Sequence, residues 1–130
     1  MLVSRNVFWN LEHADQAYEE VSRVLKKDGI LILEDGNYYR HYFSAKYEKM
    51  YQSFEKLHGD EKNQGCHARH NKENVDFTIM DEIAKKLPMS QVDRPSWDFS
   101  KLMELGFQKI QVEVSGRPLP MSFCIVAEKG

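Results

Sequence analysis

The densest set of reactive side chains lies in one short stretch, Glu34, Asp35, Asn37, Tyr38 and Tyr39. It follows an apolar run, Ile30-Leu31-Ile32-Leu33, at an abrupt change of polarity. A carboxylate in that position can take a proton from a nucleophile or hold an amine. Asp35 and Asn37 have a second use, because both are good helix N-caps. Arg5 and Asn6 form another polar set just after the apolar pair Leu2-Val3, with Trp9 close behind. There the simpler role is a solvated strand end, with Arg5 paired to Asp35 and Trp9 packed under the following helix. Cys66 and His67 with His70 place three zinc-type ligands within five residues. A fourth ligand and supporting spacing are missing, so no metal site is expected. His13, His41 and His58 are expected on exposed helix surfaces.

The elements that must carry these residues follow from periodicity. Ala14, Ala17, Tyr18, Val21, Val24 and Leu25 recur at the three-four spacing of one buried face. That spacing predicts a helix over residues 14–27, with Gly29 as its stop. Residues 30–33 are apolar on both faces, which predicts a strand buried from both sides. A helix feeding such a strand is half of a parallel α/β unit, and ligands in open α/β sheets bind at the carboxyl ends of the strands. Phe43, Tyr47, Met50, Phe54 and Leu57 predict a second helix over 38–58. Residues 59–76 are polar and aperiodic, and read as a loop. Thr78 and Asp81 open a short helix that Pro88 ends. Arg94-Pro95-Ser96 leads into another, from Trp97 to Leu105. Ile110, Val112 and Val114 alternate with polar residues, as on an edge strand. Residues 123–127 are continuously apolar, as in a central strand, and the short connection between the two makes them antiparallel.

Length and charge bound the rest. A chain of 130 residues holds one domain, here 1–130, with a helical and loop insert at about 38–95. Lys and Arg number 18 against 20 Asp and Glu, so the basic excess of a nucleic-acid binder is absent. No apolar run reaches the roughly 18 residues of a membrane span. The start lacks the basic and apolar parts of a signal peptide. Two cysteines make no disulfide framework, and the default location is the cytoplasm.

The order of elements resembles the C-terminal half of a class I S-adenosylmethionine-dependent methyltransferase. Leu2-Val3-Ser4-Arg5-Asn6-Val7-Phe8-Trp9-Asn10-Leu11 looks like the fourth-strand segment of a bacterial branch with an Arg-Asn-x-x-Trp-x-Leu signature. Arg23-Val24-Leu25-Lys26-Lys27-Asp28-Gly29-Ile30-Leu31 is similar to that family's helix-to-fifth-strand junction, and Asp35-Gly36-Asn37-Tyr38-Tyr39 matches the end of that strand. Leu87-Pro88-Met89-Ser90, Arg94-Pro95-Ser96-Trp97-Asp98 and Leu105-Gly106-Phe107 resemble later pieces. Lys27-Asp28 departs from the usual Pro-Gly, and His13 stands where a capping Asp is common.

The resemblance implies an α/β fold: a partial Rossmann-like sheet of two parallel strands plus a C-terminal antiparallel hairpin, with flanking helices. It places Arg5 and Asn6 beside the methionine part of the cofactor. It places Trp9, Asp35, Asn37, Tyr38 and Tyr39 on the substrate side, and makes the insert a cover for the site. It assigns no catalytic residue, since methyl transfer depends mainly on alignment. The family's Gly-rich loop and ribose-binding acid have no counterpart among the seven glycines and the strands read here. The chain alone is therefore expected to be inactive, with S-adenosylmethionine bound weakly or not at all. It is expected to pair through residues 2–8 with another copy or with a missing N-terminal half. The alternative is a non-enzymatic oligomerisation or binding module derived from a methyltransferase.

Overall fold

A computed structural model describes residues 1–57, 78–116 and 119–130. Cys66, His67, His70 and His58 lie outside them. Four strands form one sheet: β1 (Leu2–Arg5), β2 (Ile30–Gly36), β3 (Phe107–Ser115) and β4 (Ser122–Lys129). Their order is β1-β2-β4-β3. β1 runs parallel to β2, in the register Leu2 to Leu31 through Arg5 to Glu34. β4 is antiparallel to both β2 and β3. The helices are α1 (Ala14–Val24), α2 (Ala45–Leu57), α3 (Thr78–Lys86) and α4 (Ser96–Glu104). The chain is thus α/β with a mixed sheet, and β4 takes the central place and β3 the edge, as the sequence leads one to expect.

Helix α1 forms because Ala14, Tyr18 and Val21 share one face and all three are buried. It stops at Val24, three residues before the expected end, because Leu25 is extended and Asp28 takes a left-handed φ of 62°. The Lys129 ammonium donates to the carbonyls of Ser22 and Leu25, satisfying groups that a helix end leaves open. Tyr18, Leu31, Leu33, Leu102 and Ile125 are fully buried and lie in one core between the sheet and helices α1 and α4.

Strand β2 is covered on one face only among the described residues. Leu31 and Leu33 are buried, whereas Ile30 and Ile32 are half-buried. Cys124 and Val126 of β4 are half-buried on the same side as Ile32, and Val3 of β1 is 62% exposed. This corrects the reading of a strand buried from both sides: helices α1 and α4 both pack on the face of Leu31 and Leu33. β1 also ends earlier than the apolar Val7-Phe8-Trp9 suggests, because Asn6 leaves the strand at φ 55°.

The single helix expected over 38–58 is broken. A short 3-10 turn, Arg40–Tyr42, precedes α2, and Phe43 between them is non-helical and exposed. Among the described side chains of the expected stripe, Tyr47 is buried and Met50 half-buried. At the far edge, Lys109 has φ 48° within an irregular stretch of β3 and pairs with Glu128. A twisted, charged strand of this kind protects a sheet edge.

The one-sided core has a measurable consequence. Leu33→Ala removes a fully buried side chain and should lower unfolding free energy by about 2–5 kcal/mol. Ile32→Ala, one residue away on the open face, should cost under about 1 kcal/mol. Urea denaturation of the two variants reads the difference, and equal losses would mean that the second face is covered.

Candidate functional site

The carboxyl ends of β1 and β2 come to the same edge of the sheet, and the backbone there is tied by Asn6. Its N–H donates to the Glu34 carbonyl at 2.8 Å. Its left-handed conformation turns the chain toward Trp9, whose indole N–H donates to the Asn6 carbonyl at 3.0 Å. The Tyr38 hydroxyl donates to Asn6 Oδ1 at 2.6 Å. One short polar residue in a region that Asn tolerates therefore links the start of the β1–α1 connection to the end of β2. Around it stands an aromatic shelf. Trp9 meets Tyr38 edge-on at 5.8 Å and Tyr39 at 5.6 Å, and Tyr39 stacks with Tyr42 at 6.2 Å. Lys85 of α3 lies 4.7 Å above the Tyr42 ring. Burial, and then Asp81, push the Tyr42 hydroxyl up to about 12, so it stays protonated.

Below the shelf sits a buried ionic cluster. The Arg94 guanidinium donates twice to Asp98, at 2.9 and 2.7 Å, and once to Asp35, at 2.8 Å. The Tyr18 hydroxyl donates to Asp98 at 2.6 Å, and the Phe123 ring lies 4.9 Å from the guanidinium carbon. Burial works against the Arg94 charge, but Asp98 and Asp35 outweigh it and hold the group above its ordinary value. Burial lifts the Asp35 carboxyl above its ordinary 3.8, against the pull of Arg94. Burial, with Asp98 beside it, also holds Tyr18 well above its usual value.

Asn37 fixes the backbone around this cluster. Its Nδ2 donates to the carbonyls of Arg94 at 2.8 Å and Pro120 at 3.0 Å, and reaches the Tyr47 hydroxyl at 3.4 Å. Tyr47 donates in turn to the Pro120 carbonyl at 2.9 Å. The expectation that Asp35 or Asn37 caps a helix is not met. Asp35 accepts from the next N–H, of Gly36, at 2.9 Å and from Arg94, while Asn37 clamps two loops. Arg5 pairs with Glu34 at 3.2 Å rather than with Asp35, and both side chains are mostly solvated, so the pair stabilises little.

Trp9, Asn37, Tyr38 and Tyr39 thus meet at one recess, which Arg40 and Ser90 also line. Asp35 lies buried beneath, and Arg5 and Asn6 stand at the β1 end. Arg40, Ser90, Arg94 and Asp98 are not among the site residues expected from the sequence, although Ser90, Arg94 and Asp98 fall in the segments that carry the resemblance. The spacing of Arg94 and Asp98, four residues apart, was the one available signal. Comparison with family models, with curated proteins and with solved structures gives no match. Among the described residues no group of His, Cys, Asp and Glu could hold a metal ion, and no helix is long and apolar enough to cross a membrane.

Two glycines sit at the junctions of the elements that carry the site. At Gly36, which ends β2, a Cβ would meet the Met121 carbonyl at 2.7 Å and the Tyr38 ring at 2.8 Å, so that space is filled. Gly106, with φ 80°, joins α4 to β3 and does not open a helix.

Arg94→Met should cost about 3–5 kcal/mol by leaving two buried carboxylates without their partner. Asp35→Asn in that background should recover part of the loss, as read by urea denaturation. Asp35 also sets a pH dependence. With its folded pKa raised, it binds its proton more tightly folded than unfolded. Its contribution favours the fold at low pH and is lost as pH rises from 3.8 through the raised value. Denaturation at stepped pH should show Asp35→Asn gaining stability relative to the parent across that window.

Proposed function

We propose that the chain is the acceptor-side portion of a class I S-adenosylmethionine-dependent methyltransferase with a Rossmann-like sheet, acting on a small molecule in the cytoplasm. The observation that carries the reading is the strand order. A parallel pair joined through α1 is followed by a hairpin whose last strand inserts antiparallel between that pair and the edge. The ordered sequence signatures at residues 2–11, 23–31 and 35–39 support the same reading. In it Arg5 and Asn6 stand where the cofactor's methionine part would lie, while Trp9, Tyr38 and Tyr39 wall the acceptor side. S-adenosylmethionine supplies an electrophilic methyl group on sulfur. This chain's part is to orient the acceptor in line and keep water away, the work that alignment demands. Asp35, engaged by Gly36 and Arg94, acts in this reading as a support for Arg94 and not as a base.

A second reading is a non-enzymatic oligomerisation or binding module. The observation that favours it is the half-open sheet face of Val3, Ile32 and Val126 beside the edge strand β1. In both readings residues 2–8 are the meeting place, with another copy in the second and with a cofactor-holding half in the first.

Calorimetry separates them. The chain alone should give no saturable heat with S-adenosylmethionine. A polypeptide carrying a Gly-rich strand-turn-helix, mixed with it, should restore transfer of a tritiated methyl group. Micromolar binding by the chain alone would sink the division of labour. A concentration-independent dimer by light scattering, together with no transfer on mixing, would favour the module.

A further inference from the structure

A groove with about 360 Å³ of room lies between the first turn of α1, the 3-10 turn Pro88–Gln91 and α4. It is open to solvent along one side. Its floor is apolar and continues into the core. Met89 belongs to that core, and Val92 and Trp97 pack against it half-buried. One side of Trp97 meets the Tyr18 ring at 5.8 Å. The rim of the groove is acidic. Glu12 and Asp15 line it from the α1 side and Glu104 from α4. All three are exposed, and neither Glu12 nor Asp15 takes part in an ion pair among the described residues. Lys101 is the one basic residue lining the groove. Its side chain is 13% exposed, and Glu19 at 3.4 Å and Glu104 at 3.8 Å share its charge.

The needs of the fold account for only part of this charge. Asp15 stands in the first turn of α1, where the helix dipole favours an acid. Glu104 is the last residue of α4, where the dipole disfavours one. Carboxylates that converge on one groove also repel one another, and an occupant of the opposite charge offsets that repulsion. The apolar floor asks for more than a simple cation. It suits a long side chain whose stem covers apolar surface while its head reaches the rim. Arginine meets both demands, since its planar head lies on an indole and bonds carboxylates with two donors at once. A groove open along one side holds a free small molecule poorly, because such sites enclose most of their ligand. We propose that the groove docks a segment of another polypeptide that carries an arginine beside an apolar residue. The guanidinium lies against Trp97 and pairs with Glu12 or Glu104, and the apolar residue covers Met89 and Val92. This surface is separate from residues 2–9 and 35–39, and its binding does not rest on the methyl-transfer reading.

The test is a nitrogen–proton NMR titration that follows the indole signals of Trp97 and Trp9, the two tryptophans of the chain. The probes are acetyl-Leu-Arg-Leu-Arg-amide, acetyl-Leu-Glu-Leu-Glu-amide and argininamide. The arginine peptide should shift Trp97 saturably and leave Trp9 in place. The glutamate peptide should not bind. Argininamide should bind at least about tenfold more weakly than the arginine peptide, because it buries no leucine. Glu12→Gln combined with Glu104→Gln should weaken the arginine peptide about 3–10-fold, as the loss of two solvated charge pairs would. The same double variant should melt no lower than the parent, since like charges have been removed. A lower melting temperature would mean that the acids serve the fold, and would overturn the proposal. So would an unmoved Trp97 signal, a glutamate peptide that binds as well, argininamide binding as tightly as the peptide, or a double variant that binds unchanged. None of these outcomes depends on S-adenosylmethionine, so the two readings fail separately.

Discussion

The Arg94 guanidinium is the interaction on which the arrangement turns. It is held within the core, and a charge there persists only if its donors are met by partners of the opposite sign. Those partners come from separate elements, Asp35 from β2 and Asp98 from α4. Tyr18 brings α1 into the same network through Asp98, and Phe123 of β4 lies against the cation. The planar fork of an arginine suits this, since its donors leave in fixed directions and one group can register three elements. Apolar packing would hold α1 and α4 against the sheet without specifying their rotation. The ion cluster specifies it. The same residue's carbonyl accepts from Asn37, so the floor of the recess inherits its position from the core.

The sheet is covered unevenly among the described residues. Parallel strands are usually covered on both faces. Here the covered face carries Leu31, Leu33, Phe123, Ile125 and Ala127, while Ile32, Val126 and Val3 remain partly or largely in water. The open face is apolar near β1 and β2 and becomes polar toward β3, where Gln111 and Glu113 pair with Val126 and Cys124. Its apolar part is thus continuous with β1, one of the two edge strands among the described residues. An antiparallel two-fold partner at that edge would extend the sheet and leave the open face as it is. A strand joined to a helix would both extend the sheet and cover the open face.

Much of the fold was legible because it depends on patterns that a chain cannot hide. The stripe of α1 reports burial at Ala14, Tyr18, Val21 and Leu25, though Val24 is exposed; the alternation of β3 marks an edge strand whose Val112 and Val114 both stay exposed, and the apolar run of β4 marks a central strand buried at alternate residues. Helix ends were less legible. The end of α1 is set by Asp28 in the left-handed region and by Lys129, more than a hundred residues away. The break before α2 was hidden for a similar reason. Residues 38–44 hold aromatic side chains that contact Trp9 and one another across the surface, and those contacts displace the helical periodicity of the sequence. The site divides in the same way. Trp9, Tyr38 and Tyr39 were legible as large side chains after strand ends. Arg94 was not, because a buried arginine beside a proline looks like an exposed one until its partners are known.

Asn37 shows why sequence type alone misplaces such residues. An asparagine after a strand suggests a cap, and a cap uses the side-chain oxygen to accept from backbone N–H groups. In this chain the backbone groups within reach are the carbonyls of Arg94 and Pro120, which demand the nitrogen instead. Once the nitrogen is committed, the oxygen has no freedom to follow it. The residue's contribution to stability comes from the nitrogen end of the amide. An aspartate could not divide its work in this way, because both of its oxygens accept and neither would meet the two carbonyls. Asparagine is the side chain of this size whose nitrogen can clamp two acceptors at once. The loop clamp is therefore a consequence of an amide standing where a carboxylate could not serve.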